Sequence, residues 1–215
     1  MTQTSNYAAL HLITGGSGSG KSAYAESLVM AASGYADFQR IYIATMIPYG
    51  EEGRRRVERH RKLRAEKKFE TVECYTGLER LDLNEVLFDS GMHVAEDILS
   101  EKNHRDSSKT GKYETDMLRP KMILLECMSN LVANEMFEPG GAGDDVVNAI
   151  LRGITVLRRQ ANCLIVVTNE VFSDGIRYDA DTMRYLSYLG AVNQALAAQA
   201  DRVTEVVYGI PNALK

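Results

Sequence analysis

Gly15-Gly16-Ser17-Gly18-Ser19-Gly20-Lys21-Ser22 fits the pattern G-x-x-x-x-G-K-[ST], a phosphate-binding loop. Glycines let such a loop adopt positive φ and turn its N–H groups inward around phosphate oxygens. The whole run Gly15, Gly16, Ser17, Gly18, Ser19, Gly20, Lys21 and Ser22 is therefore expected to bind a nucleotide. Lys21 is the catalytic charge for the terminal phosphates, and the Ser22 hydroxyl is a ligand for Mg²⁺. A flexible Gly/Ser linker would share the composition. The flanks argue against it: Leu10–Thr14 is a short apolar run suited to a buried strand, and Ala23–Met30 runs on without Gly or Pro, as a helix would. Strand, loop and helix in that order aim a helix N-terminus at an anion.

Arg40–Thr45 is β-branched and apolar and reads as the next strand, so strand, helix and strand form a parallel unit. Further strands are expected at about 121–126, 163–168 and 203–208, and a short edge strand at Phe69–Tyr75. Helices are expected over Arg54–Lys68, Asp144–Gln160 and Asp179–Asp201, turns at Gly34 and at Gly209–Pro211, and a loop over Met46–Gly53. This is an α/β fold of the P-loop NTPase kind, a mostly parallel central sheet flanked by helices. Residues 1–215 read as one domain, with a variable segment at about 76–118 whose 103–113 stretch is polar and loop-like. His93 and His104 in that segment have no ligand-like neighbours in sequence.

Met122–Glu126 is an apolar strand ending in a carboxylate. Beside a phosphate loop such a carboxylate is expected to stand next to the Mg²⁺ held by the serine, so Ser22 and Glu126 form the candidate metal site. The segment from Arg54 is strongly cationic, with Arg56, Arg59, Arg61, Lys62 and Arg64 around His60. A solvated helix face is the plain reading of such a run. The rival reading is a phosphate-facing surface, because arginines suit bidentate phosphate contacts. Helical spacing sets Arg56, His60 and Arg64 on one face, where neighbouring cations would keep the imidazole neutral and nucleophilic.

Bulk properties bound the function. The 215 residues carry a net charge of −4, with 45% hydrophobic and 25% charged residues, which disfavours non-specific nucleic-acid binding. Cys74, Cys127 and Cys163 show neither zinc spacing nor a disulfide framework, the pattern of a reduced cytoplasmic protein. The first eight residues are polar and lack a signal-peptide pattern, and no window approaches a membrane span. A regulatory GTPase is disfavoured because no N-K-x-D motif occurs; Asn169-Glu170 alone stands near the expected strand end.

Several pieces in order resemble one family, the bifunctional adenosylcobinamide kinase/adenosylcobinamide-phosphate guanylyltransferase of cobalamin biosynthesis. They are GGSGSGKS at Gly15–Ser22, YIAT at Tyr42–Thr45, RVERHRKLR at Arg56–Arg64, TVE at Thr71–Glu73 and LLEC at Leu124–Cys127. Asn134, VTNEV at Val167–Val171, GAVNQALAAQAD at Gly190–Asp201 and GIP at Gly209–Pro211 complete the set. The resemblance implies phosphorylation of the corrinoid's aminopropanol hydroxyl from a nucleoside triphosphate, GTP or ATP with Mg²⁺. It then implies transfer of GMP from GTP through a guanylylated histidine matching His60, giving adenosylcobinamide-GDP. It further implies nucleotide contacts from Ala44, Thr45, Met46, Arg56, Arg61, Arg64, Glu73 and Ser129, and a trimeric homo-oligomer. Departures from the family pattern fall at Gly50, Ala65, Phe69, Phe172–Gly175 and Leu186–Ser187. Two other readings fit less of the chain: a P-loop small-molecule kinase without guanylyltransferase activity, and a nucleotide-binding interaction protein with no transfer chemistry.

Overall fold

The computed structural model describes residues 7–32, 37–87, 119–172 and 175–215, and within the second helix leaves out the side chains at positions 56, 60 and 63–65. The strands are β1 (Ala9–Thr14), β2 (Gln39–Ala44), β3 (Glu70–Glu73), β4 (Lys121–Glu126), β5 (Cys163–Val167), β6 (Arg202–Val207) and β7 (Ile210–Ala213). They form one seven-stranded sheet in the order β3-β2-β4-β5-β1-β6-β7. Every neighbouring pair is parallel except β6 and β7. The helices are α1 (Lys21–Ala32), α2 (Gly50–Ala65), α3 (Met128–Phe137), α4 (Val146–Gln160) and α5 (Ala180–Gln199). This is the expected α/β fold, with parallel strands linked by helical crossovers.

The central strands read as apolar runs because both faces of the sheet are covered. Successive side chains point to opposite faces. Ile41, Ile43, Ile123 and Leu125 thus join Leu131, Ile150 and Leu196 in one core, under α3, α4 and α5. Tyr42, Leu124, Ile13 and Val167 join Ala25 and Val29 of α1 in the core on the other face. Of the apolar stripe that the sequence offers on α4, Ile150, Ile154 and Leu157 are buried and Val147 and Leu151 half-buried, with Val146 buried beside them.

Two expectations need correction, and one helix was not anticipated. Gly50 to Gly53 were read as loop, but they are the first turn of α2, which begins at Gly50 with a φ of 61°. The stretch after Cys127 carried no helix signal, yet Met128–Phe137 is a helix that starts directly off β4. Gly209–Pro211 was read as closing the last strand; Ile210–Ala213 is a further antiparallel strand at the sheet edge, where a proline's missing N–H is tolerated. The Gly34 turn and the 88–118 part of the variable segment, with His93 and His104, lie outside the described residues. No helix among the described residues is long and apolar enough to cross a membrane.

The contact between α4 and the short 3₁₀ turn Leu78–Arg80 generates a prediction whose sign opposes helix propensity. Alanine normally stabilises a helix interior by about 1 kcal/mol over glycine. A Cβ on Gly153, however, would stand 2.7 Å from Cβ of the fully buried Leu78. Gly153→Ala is expected to destabilise by about 1–3 kcal/mol through overpacking, read as a lower urea midpoint at unchanged slope. Equal or greater stability would mean that the 78–80 turn yields at no cost.

Candidate functional site

The phosphate loop spans the gap between the C-terminal end of β1 and the start of α1. Gly15, Gly18 and Gly20 take φ of 153°, 72° and 92°. At Gly15 the reason is also space: a Cβ there would meet the Val206 carbonyl oxygen at 2.5 Å. Gly15 is buried and Gly16 and Ser19 half-buried, while Ser17, Gly18 and Gly20 are exposed. The Ser19 hydroxyl oxygen is buried and unpartnered. Lys21 curls back so that its Nζ donates to the Gly16 carbonyl at 2.9 Å. Only 7% of it is exposed, and burial lowers its pKa, partly offset by nearby Cys127 and Glu126.

Glu126 meets the loop as expected. Its Oε1 accepts a hydrogen bond from Ser22, and its Oε2 accepts one from the Tyr42 hydroxyl at 3.1 Å. Tyr42 is buried and packs edge-on to Phe69, with ring centroids 6.0 Å apart. Among the described residues no group of three or more His, Cys, Asp or Glu could hold a metal by itself. One hydroxyl and one carboxylate are nevertheless the hard-oxygen donors that suit Mg²⁺ when substrate phosphates supply the rest.

These groups open into a cleft of about 270 Å³. Its lining brings together Lys21, Ser22, Ala44, Met46, Arg61, Glu73 and Glu126 from the sequence-predicted set. Arg61 pairs with Glu73, whose other oxygen accepts from the Tyr75 hydroxyl at 2.6 Å. Two expected contacts lie behind the lining instead. Thr45 is fully buried, its hydroxyl accepting from the Cys127 N–H and donating to the Cys127 carbonyl, both at 2.8 Å. Ser129, 5% exposed, accepts from the Asn169 amide at 2.5 Å and so fixes a residue that does face the cleft. Positions 56, 60 and 64 lie on α2, one residue before, one turn beyond and two turns beyond the cleft-lining Val57; their side chains lie outside the described ones.

Sequence reasoning missed Tyr42, Val57, Tyr75, Cys127, Asn130 and Asn169 as lining residues. Asn169 alone left a signal, a polar residue directly after the apolar run of β5. Burial pushes the Cys127 thiol up, against the Ser129 and Asn130 hydrogen bonds, so it is not a thiolate nucleophile. The departures at Phe172 and at Leu186-Ser187 meet in a second groove, with Gly190 and Asn193; Ser173 and Asp174 lie outside the described residues. Asn193 connects that groove to the cleft, accepting from Thr168 at 2.7 Å and donating to the Asn169 carbonyl at 3.5 Å.

Comparison with known proteins identifies the family. The family described as "Cobinamide kinase / cobinamide phosphate guanyltransferase" matches residues 11–117 and 101–214. The "Bifunctional adenosylcobalamin biosynthesis protein CobU" of Escherichia coli strain K12 is 30% identical, over 95% of this chain and 98% of the relative. Its namesake in Salmonella typhimurium strain LT2 is 29% identical over the same shares. Among solved structures, a KaiC-like protein of Pyrococcus horikoshii OT3 aligns with a TM-score of 0.44 and 13% identity, over 93% of this chain and 71% of that one. With a family match that runs from residue 11 to residue 214, this chain belongs to the cobinamide kinase / cobinamide phosphate guanyltransferase family.

Proposed function

We propose that the chain phosphorylates adenosylcobinamide from a nucleoside triphosphate and then transfers GMP from GTP, through His60, to give adenosylcobinamide-GDP. The observation that carries this reading is that one cleft joins the phosphate loop and Glu126 to Val57 and Arg61 of α2, the helix that bears His60. The names of the two relatives, both bifunctional, support it.

In the phosphoryl step Lys21 and the loop N–H groups hold the terminal phosphates, and the corrinoid hydroxyl oxygen attacks the γ-phosphorus; a new P–O bond forms, the P–O bond to the departing nucleoside diphosphate breaks, and the hydroxyl proton passes to solvent. Ser22 and Glu126 would hold Mg²⁺, which neutralises charge on the phosphate oxygens when bound. In the second step an imidazole nitrogen of His60 attacks the α-phosphorus of GTP; a P–N bond forms and the P–O bond to pyrophosphate breaks. An oxygen of the corrinoid phosphate then displaces the histidine, restoring the free imidazole. Arg61, already at the cleft, is placed to stabilise the phosphates through these displacements. A cleft of about 270 Å³ suits a nucleotide's phosphates and sugar but not a corrinoid ring, so the macrocycle lies over its mouth. On this reading the enzyme is a cytoplasmic single-domain protein working as a homo-oligomer, with no nucleic-acid partner.

Intact mass after incubation with Mg²⁺ and GTP is expected to show an acid-labile GMP adduct that His60→Ala lacks while keeping the phosphoryl step. An adduct surviving in the variant would move the nucleophile elsewhere. No adduct with nucleotide still consumed would leave a small-molecule kinase. Lys21→Ala is expected to lower the kcat of phosphorylation by at least about 100-fold, the scale of removing one aimed charge-stabilising donor. A loss below about 10-fold, one step of 1.4 kcal/mol, would demote Lys21 to a structural cation.

A further inference from the structure

The β6–β7 hairpin turns through Tyr208 and Gly209, with φ of 51° and 79°. Two successive positive values are what a tight hairpin of this kind demands, and Asn-Gly or Gly-Gly usually supplies them. A tyrosine in the left-handed region is strained, and strain of this sort collects where a side chain has another task. Burial does not explain the choice, because Tyr208 is 93% exposed.

The turn is nevertheless fixed against the phosphate loop. The Gly209 N–H donates to the Ser19 carbonyl at 2.8 Å. A Cβ on Gly20 would approach Gly209 Cα to 3.2 Å, so the two backbones pass with no room between them. A solvent-exposed aromatic residue is thereby held at the rim of an anion cradle.

Sheet order gives the direction of the ligand. Glu126 ends β4, and in the order β4-β5-β1-β6-β7 the loop leaves β1 with Glu126 on one flank and the hairpin on the other. A triphosphate presenting its reacting end to Ser22 and Glu126 sends its nucleoside away from them, toward the hairpin. We propose that Tyr208 is a stacking platform for the base of the nucleoside triphosphate that donates the γ-phosphoryl group. The assignment rests on the phosphate-loop reading above. It adds that the phosphoryl donor's base lies on the flank opposite Arg61 and Glu73. GTP that must offer its α-phosphorus to α2 then takes a different pose over the same loop. Aromatic stacking tolerates any base, so Tyr208 sets affinity rather than a choice between adenine and guanine.

The chain contains no tryptophan, so Tyr208→Trp introduces a single indole reporter. Mg·ATP is expected to quench its fluorescence, and Mg·tripolyphosphate, which has no base, to leave it unchanged. Tyr208→Asn, which the turn accommodates better, is expected to keep or raise the melting temperature while weakening ATP binding by about 5- to 150-fold. Calorimetry on the unsubstituted chain measures nucleotide binding separately. Binding there with an unquenched indole, equal quenching by tripolyphosphate, or full ATP affinity in Tyr208→Asn would each overturn the stacking role alone. A chain that binds no nucleotide at all would overturn the phosphate-loop reading and the stacking with it.

Discussion

Glu126 accepts from two elements at once, Ser22 at the start of α1 and Tyr42 in β2, and it is itself the last residue of β4. That carboxylate stands in a positive field. Around it stand a buried lysine, the positive end of α1 and the inward N–H groups of a glycine loop. A cation at a helix N-terminus is unfavourable unless an anion joins it. Burial already lowers the Lys21 pKa, and an unpartnered hydroxyl stands in the same loop. On the proposed reading, a phosphate would answer this positive field and Glu126 would orient the serine for the metal that accompanies it.

The remaining site positions depend on hydrogen bonds that tie strand ends together. The Asn134 amide donates to the Thr45 and Tyr75 carbonyls at 2.8 and 3.0 Å, joining the segments that follow β2 and β3 to α3. Glu135, 3% exposed, accepts from the N–H groups of Gly77 and Ala142 at 2.6 and 2.9 Å. Buried polar groups with their partners in place specify one arrangement, because any shift leaves a desolvated donor unpaired. Burial also pushes the Tyr185 hydroxyl up to about 12, so it stays protonated and donates to the Ser129 carbonyl at 3.3 Å.

Much of this was legible in the sequence, and the omissions have physical causes. The five inner strands could be read because strands covered on both faces are apolar throughout. α3 could not, because Ser129, Asn130 and Asn134 are weak helix formers that stay helical through burial against the core. Two glycines hid the first turn of α2, and Pro211 hid the edge strand. At the site, charged and phosphate-loop residues were found, whereas Tyr42, Val57, Cys127 and Asn169 were passed over although they lie inside the quoted motifs. Tyr42 looked like one more core position in β2, although its hydroxyl reaches the Glu126 carboxylate. Thr45 was expected from the family resemblance to meet the nucleotide, yet its hydroxyl is spent holding Cys127.

α2 is attached by a different kind of force. α4 buries four aliphatic side chains, whereas the described side chains of α2 are almost all charged and Val57 is the one apolar contact it makes with the cleft. Its ties to the body are polar: Tyr49 to Glu138 just before it, Arg61 to Glu73 within it, and Lys67 to Glu26 just after it. An exposed ion pair such as Arg61–Glu73 contributes about 0–1 kcal/mol, far less than a buried aliphatic stripe, whereas the Lys67 partner Glu26 is itself buried. The two proposed reactions make different demands on the scaffold. Phosphoryl transfer needs a fixed cradle, and the hydrogen bonds of half-buried Glu126 and of buried Asn134 and Glu135 hold the strand ends around it. Transfer through His60 needs a nucleophile that meets the α-phosphorus of GTP and then presents the captured GMP to a bulky acceptor. On the proposed reading, carrying the histidine on α2 puts the nucleophile of the second step on a different element from the phosphate loop, whose hydrogen bonds the transfer then leaves intact.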